Sequence, residues 1–458
     1  MPDITLLLVI LDKSRYTKKH GKERSMKKKI STLILCLLTV SLGLTGCTRT
    51  QMNEQIAESI GTLGMYENNE PVETPKMKAE KEIQEAKQEE EDNVSEHLDK
   101  AQRLAASYDY TNALAELSLI NEEYQDDERV ISAKVEYQRL QGMMITYGGD
   151  FTHFSVKSLI ADKDRAFGDA DMAYYYNNWS LTIDEFEQIL QSLYEKNYIL
   201  MSVYDLVVEV ENEDGTISFA LNTPTVPAGK TPIIFSFAEA NYYSDTNYGA
   251  YSDRIVLADD GSVQNEYVDE QGNTLVGAYD VIPVLDQFVE EHPDFSLRGA
   301  KGIISLTGYE GVFGYNISTD AEEIKAIADS LKEDGWLIAC NGYSNLMMES
   351  EMDSNDLQED LDDWQSKVAS LVGDTDLLFY PFGDSVSAGS YKQGQLFDAG
   401  YRFFFNLWAT ADYLEVNSDY VIQSRRVLDG YDLYYYGEDM TDFFDAKEIL
   451  DPARPAFE

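Results

Sequence analysis

Histidine and cysteine are nearly missing from this chain. Its 458 residues include only four His (His20, His97, His153, His292) and three Cys (Cys36, Cys47, Cys340). So few cysteines exclude a disulfide framework and a cysteine-rich zinc site. Positive charge is short as well: 36 Lys and Arg face 83 Asp and Glu, a formal net charge of −47. That balance excludes nucleic acid as a partner, because a phosphate footprint needs clustered cations. The same sign repels anionic wall polymers and lipid headgroups, and a solvated surface is enough to explain it. No Gly-x-Ser-x-Gly elbow and no phosphate loop occurs. Apolar material is plentiful, at 43% hydrophobic and 12% aromatic with 31 Tyr, so a large folded core is affordable. The length predicts two or three domains, or one barrel-type domain with additions.

One long hydrophobic run stands near the start. Lys27-Lys28-Lys29 precede an apolar stretch from Ile30 to Leu44, then Thr45-Gly46-Cys47. The stretch is shorter than the roughly 20 residues of a membrane-spanning helix and has the layout of a secretory signal. Leu44-Thr45-Gly46-Cys47 resembles the lipobox of bacterial lipoproteins. The resemblance implies lipidation of the Cys47 thiol, cleavage before it, and an extracytoplasmic protein held to the cell membrane by that anchor. Met26 is then the natural start, residues 1–25 an upstream extension and 26–46 the signal. Residues 47–95 are polar and charge-dense, with no aromatic after Tyr66, and predict a flexible or loosely helical acidic stalk.

Residues 96–143 change character. Leu98, Ala101, Leu104 and Ala105, then Ala113, Leu114, Leu117 and Ile120, then Val130, Ala133, Val135 and Tyr137 mark three short helices. They resemble one tetratricopeptide-type unit, which cannot bury its own faces and is expected to pack on its neighbour.

From 144 to 458 strands and helices alternate, which predicts an α/β fold, an irregular (β/α) barrel with function at the C-terminal strand ends. Expected strands are Ile199–Val203, Pro232–Phe237, Ile303–Leu306, Trp336–Cys340 and Leu377–Tyr380. Thr182 with Glu185, and Thr319 with Glu322, predict capped helix starts.

The order Pro232-Ile-Ile-Phe-Ser-Phe-Ala238-Glu239, then Asp334-Gly-Trp-Leu-Ile-Ala-Cys340-Asn341-Gly-Tyr-Ser-Asn345, then Phe379-Tyr380-Pro381-Phe382-Gly383 is similar to polysaccharide deacetylases, the NodB-homology domain of carbohydrate esterase family four. The resemblance covers about residues 146–440. In the family the first motif ends in Asp-Asp, a general base and a metal ligand; the matching positions here are Ala238 and Glu239. The second supplies two imidazoles; here they are Asn341 and Asn345. The third, Arg-x-Pro-Tyr-Gly, has Phe379 for its Arg and Phe382 for its Tyr. A late His serves the family as general acid, and no histidine follows His292.

Metal-assisted amide hydrolysis needs a cation held by strong donors beside a proton acceptor. An Asn carbonyl is a weak ligand for a transition metal, and Ala238 accepts no proton. No intact catalytic set, metal site or cofactor is therefore expected. His153 and His292 read as surface or satisfied polar residues and Cys340 as a buried, inert thiol. Glu239, Tyr242, Tyr243, Asn341, Asn345 and Tyr380 are the candidate binding residues, with further rings available at Trp179, Trp336, Trp364, Trp408, Tyr174–Tyr176 and Tyr434–Tyr436. Three classes stay open: a non-catalytic surface lipoprotein binding cell-wall polysaccharide or a partner, a divergent metal-dependent deacetylase of N-acetylated wall sugar, and a scaffold.

Overall fold

A computed structural model describes residues 66–67, 70–71, 75–168, 172–244, 248–408 and 411–457. The expected extension, signal peptide and lipidated Cys47 lie outside the described residues. The chain divides into two compact units, 1–89 and 90–458. In the first, Tyr66–Glu67 pairs antiparallel with Glu70–Pro71. Helix α1 spans Pro75–Ala106, so the boundary expected at residue 95 falls inside a continuous helix. Ion pairs one turn apart, such as Lys100–Glu96 and Lys78–Glu82, line its exposed surface. Among the described residues no helix is long and apolar enough to cross a membrane.

Helices α2 (Tyr110–Leu117) and α3 (Glu128–Gln141) pack on the end of α1 around Val94, Ala101, Ala113, Leu117, Ile120 and Val130. Asp109 and Asp127 cap them by accepting from Asn112 N and Arg129 N. Tyr108, in the left-handed turn between α1 and α2, packs onto the barrel core, and Ser107 O accepts from Arg298 N at 2.7 Å. The three helices thus share a small core of their own and touch the barrel through the turn at Ser107 and Tyr108.

Seven parallel strands close into that barrel: β1 Thr152–Val156, β2 Thr231–Phe237, β3 Ile303–Leu306, β4 Leu337–Cys340, β5 Leu377–Phe379, β6 Phe403–Leu407 and β7 Val421–Leu428. Each pairs with the next, and β7 returns to β1 through Arg426↔Phe154. A short strand, Tyr198–Leu200, occupies the early half of β2's edge before β3 takes over at Ser236. That shared edge makes the barrel irregular. Outside it lie α4 Ala173–Trp179, α5 Ile183–Glu195, α6 Val281–Glu291, α7 Ala321–Glu333, α8 Ser354–Asp363, α9 Tyr391–Asp398 and α10 Gly430–Tyr435.

Alternation along each strand sorts two cores. Phe154, Phe235, Phe237, Ile304, Leu378 and Phe404 face the helices, while Ile234, Ile303, Ala339, Phe379 and Phe405 fill the interior. The capping box at Thr182 and Glu185 forms as expected. At α7 the cap falls on Asp320, one residue later than Thr319, and without a box. Asp320 has already turned back to accept from Asn316 N, which withdraws its carboxylate from the helix start.

Candidate functional site

The barrel interior is polar where β1 meets β7. His153 is fully buried, its Nδ1 at 3.0 Å from Gln423 Oε1 and its Nε2 without a partner. Burial, reinforced by the charge of Arg425, pushes this imidazole down to about 3, so it is neutral and Nδ1 carries the proton. His153 is therefore neither a surface residue nor a fully satisfied one, contrary to expectation. Arg425 is 2% exposed. Its guanidinium lies 4.0 Å from the Phe379 ring centroid and donates to Asn406 O and Ser155 Oγ, each at 3.3 Å. Burial pushes it down to about 9, and the carboxylate of Glu239 opposes that shift. An arginine from β7 thus covers the ring of Phe379 on β5.

Above this floor, the turn after β2 is clamped to β3. Glu239 N donates to Ser305 Oγ at 3.0 Å and Ala240 N to Ser305 O at 3.1 Å. Glu239 (φ 62°) and Tyr242 (φ 59°) both hold left-handed backbone, which ordinary side chains adopt only under constraint. A cavity of about 610 Å³ opens here, with Lys157, Ala238 and Glu239 at the strand ends. Seven rings wall it: Tyr175, Tyr176, Trp179, Tyr242, Tyr243, Tyr248 and Tyr251. Tyr242 is fixed from behind by Asn265, whose Nδ2 donates to its hydroxyl at 3.0 Å, and lies against the charge of Asp280. Asp280 is fully buried, accepts from Leu159 N and Val281 N at 2.8 Å, and is pushed up to about 7 by burial. Tyr243 is tied to Thr307 by a 2.8 Å hydroxyl–hydroxyl hydrogen bond.

The remaining expected residues go elsewhere. Asn341 is 4% exposed and continues the sheet by donating from its backbone to Leu306 O. Asn345 is left-handed (φ 54°), and its buried Oδ1 has no partner. The loop between them is organised by Asp360, whose carboxylate accepts from Tyr343 N and Ser344 N at 2.8 Å. Tyr380, expected to face a ligand, points to the helix layer, where it is 3% exposed and stacks on Phe404 at 5.9 Å. Strand alternation sends it there, because its neighbour Phe379 takes the interior. Phe382 (φ 55°) is 54% exposed on the turn. None of these four lines the cavity. Cys340 is buried, and its thiol is pushed up to about 12.

Among the described residues no three His, Cys, Asp or Glu gather as a ligand set. Glu239 stands alone there, with the buried guanidinium of Arg425 as an adverse charge beneath. Sequence reasoning missed Arg425, Lys157 and a buried carboxyl pair, Asp429 and Asp432, at the end of β7. Burial raises both carboxyls, and the charge of Asp429 raises Asp432 further. The one visible signal was the adjacent pair Arg425-Arg426 within Val-Ile-Gln-Ser-Arg-Arg-Val-Leu.

The fold and site thus define an α/β barrel with an aromatic cavity at its C-terminal strand ends. No protein-family model matches the chain, and no curated protein does. Solved structures that match include BA0330 of Bacillus anthracis, assigned as a polysaccharide deacetylase (10% identity, TM-score 0.35, 62% of this chain and 66% of that one). Another is the deacetylase PplD of Streptococcus pyogenes, solved with acetate (10% identity, TM-score 0.34, 64% of this chain and 97% of that one). The chain spans just under two thirds of the length of the first.

Proposed function

We propose that this protein is a non-catalytic, lipid-anchored envelope protein that binds glycan in the cavity at the mouth of its barrel. The single observation that carries the reading is the lining itself: seven Tyr and Trp side chains surround Ala238 and Glu239, where a hydrolase would hold its base and metal. Aromatic faces pack against the C–H faces of sugar rings, and phenol hydroxyls, Glu239 and Lys157 supply polar contacts at the rim. The lost base, imidazoles and late acid argue against amide hydrolysis by the family route.

Two measurements on the purified protein test this. Elemental analysis should find no stoichiometric zinc, cobalt or nickel, and no acetate should be released from N-acetylglucosamine oligomers. Titration with the same oligomers should give saturable binding that Trp179→Ala weakens. Stoichiometric metal with acetate release would make the protein a divergent deacetylase. Absence of saccharide binding would leave a scaffold.

A further inference from the structure

The exposed large apolar side chains of α4 and α10 are all aromatic. Tyr174, Tyr175 and Trp179 on α4, and Tyr431, Tyr434 and Tyr435 on α10, are between 37% and 60% exposed. The rings follow one another away from the cavity. Trp179, part of its wall, lies nearly parallel to Tyr431 with centroids 6.2 Å apart. Tyr431 is 4.6 Å from Tyr435, which is 4.8 Å from Tyr434, which stacks on Phe457 at 4.4 Å.

This arrangement is built into the fold. Gly430 lets α10 approach α4, since a β-carbon there would lie 1.9 Å from the carbonyl oxygen of Asn177. The tail that carries Phe457 is tied down by Arg454. That guanidinium donates to Asn177 O and Ser180 O at 2.7 Å and to the fully buried Glu185 at 2.6 Å.

We propose that these rings are a track along which an uncharged sugar chain leaves the cavity. The proposal rests on the glycan reading above and extends it from one sugar to a chain. Continuity carries it, because Trp179 belongs to both cavity and track. Chemistry narrows the occupant: a protein interface would mix Met and aliphatic chains among its aromatics, and on these two helices the exposed large apolar chains are rings alone. Charge narrows it further, since a net −47 disfavours anionic lipid and polyanions.

The test is calorimetric titration of the full chain with a dimer-to-hexamer series of N-acetylglucosamine oligomers. Wild type should bind the hexamer about tenfold or more tighter than the dimer, the worth of one or two added ring contacts. Combined Tyr431→Ala, Tyr434→Ala and Tyr435→Ala, none of which lines the cavity, should abolish the difference in affinity between hexamer and dimer. Tyr434→Ala alone, at the most exposed of these three positions, should lose part of the length dependence and guards against a triple variant that fails to fold. A hexamer bound no tighter than the dimer, or a triple variant with wild-type length dependence, overturns the track while the cavity reading stands. No binding of either oligomer overturns both. Phosphatidylcholine vesicles bound by wild type and not by the triple variant, without any length dependence toward sugar, would assign the rings to a membrane surface and overturn the track.

Discussion

At the scale of single residues, the interior of the barrel mouth is governed by one cation. Arg425 is buried without an ion pair among the described residues, and Glu239 is the carboxylate whose charge reaches it. Glu239 is partly exposed, so solvent screens part of their attraction. Glu239→Gln is expected to cost only about 1 kcal/mol in urea unfolding. Arg425→Met, which keeps the volume over Phe379 and removes a desolvated charge, should be neutral or stabilising. Arg425→Ala should cost about 2–4 kcal/mol, because it also opens a cavity beneath Phe379. If Arg425→Met were as damaging as Arg425→Ala, the guanidinium would be an essential structural donor, and the charge-driven account of the floor would fail.

At the scale of elements, the mouth depends on how the tail fastens α4, α5 and α10. Glu185 is fully buried, caps α5, and is neutralised by Arg454. Removing the cation strands that carboxylate, so Arg454→Met should destabilise by about 3–5 kcal/mol in urea unfolding. It should also loosen Phe457 from Tyr434. A loss below 1 kcal/mol would mean that the tail is an accessory. Thr182→Ala removes the other half of the cap and should cost about 1 kcal/mol.

The same elements show what sequence could reveal. Strands β2, β3, β4 and β5 are largely apolar runs of three to seven residues beside amphipathic helices, and pattern finds them within a residue or so. β1 (Thr-His-Phe-Ser-Val) and β7 (Val-Ile-Gln-Ser-Arg-Arg-Val-Leu) do not announce themselves, because their inward positions carry His153, Ser155, Gln423 and Arg425. A polar interior breaks the hydrophobic alternation that marks a strand. Ala238 and Glu239 line the cavity, whereas Tyr380 does not, because one step along a strand reverses the face. Rings from α4 and from the loop around Tyr248–Tyr251 reach the cavity through tertiary packing, which local pattern does not encode.

At the scale of the whole molecule, buried titratable groups set how stability answers pH. His153 stays neutral in the fold down to about 3, while the unfolded chain takes up its proton near 6.5. Its contribution is therefore lost as pH falls from about 6.5 toward 3. Asp280 works in the opposite sense. Its carboxyl is raised to about 7, so the folded chain keeps a proton that the unfolded chain releases near 3.8, and stability falls as pH rises through that window. Asp429 and Asp432 shift in the same direction, both through burial, with the charge of Asp429 raising Asp432 further. Between about 4 and 6.5 the histidine and the acids oppose each other, and above 6.5 only the acids act. Unfolding free energy should then decline from pH 6.5 to 8, against a background of self-repulsion already large at −47. Asp432→Asn keeps a donor toward Asp429 and removes one titration. It should match wild type near pH 5, exceed it at pH 8, and flatten the decline in urea midpoints measured across that range. A variant that follows the wild-type profile throughout would show that the pair at the end of β7 shares no proton, and that Asp280 alone bends the curve.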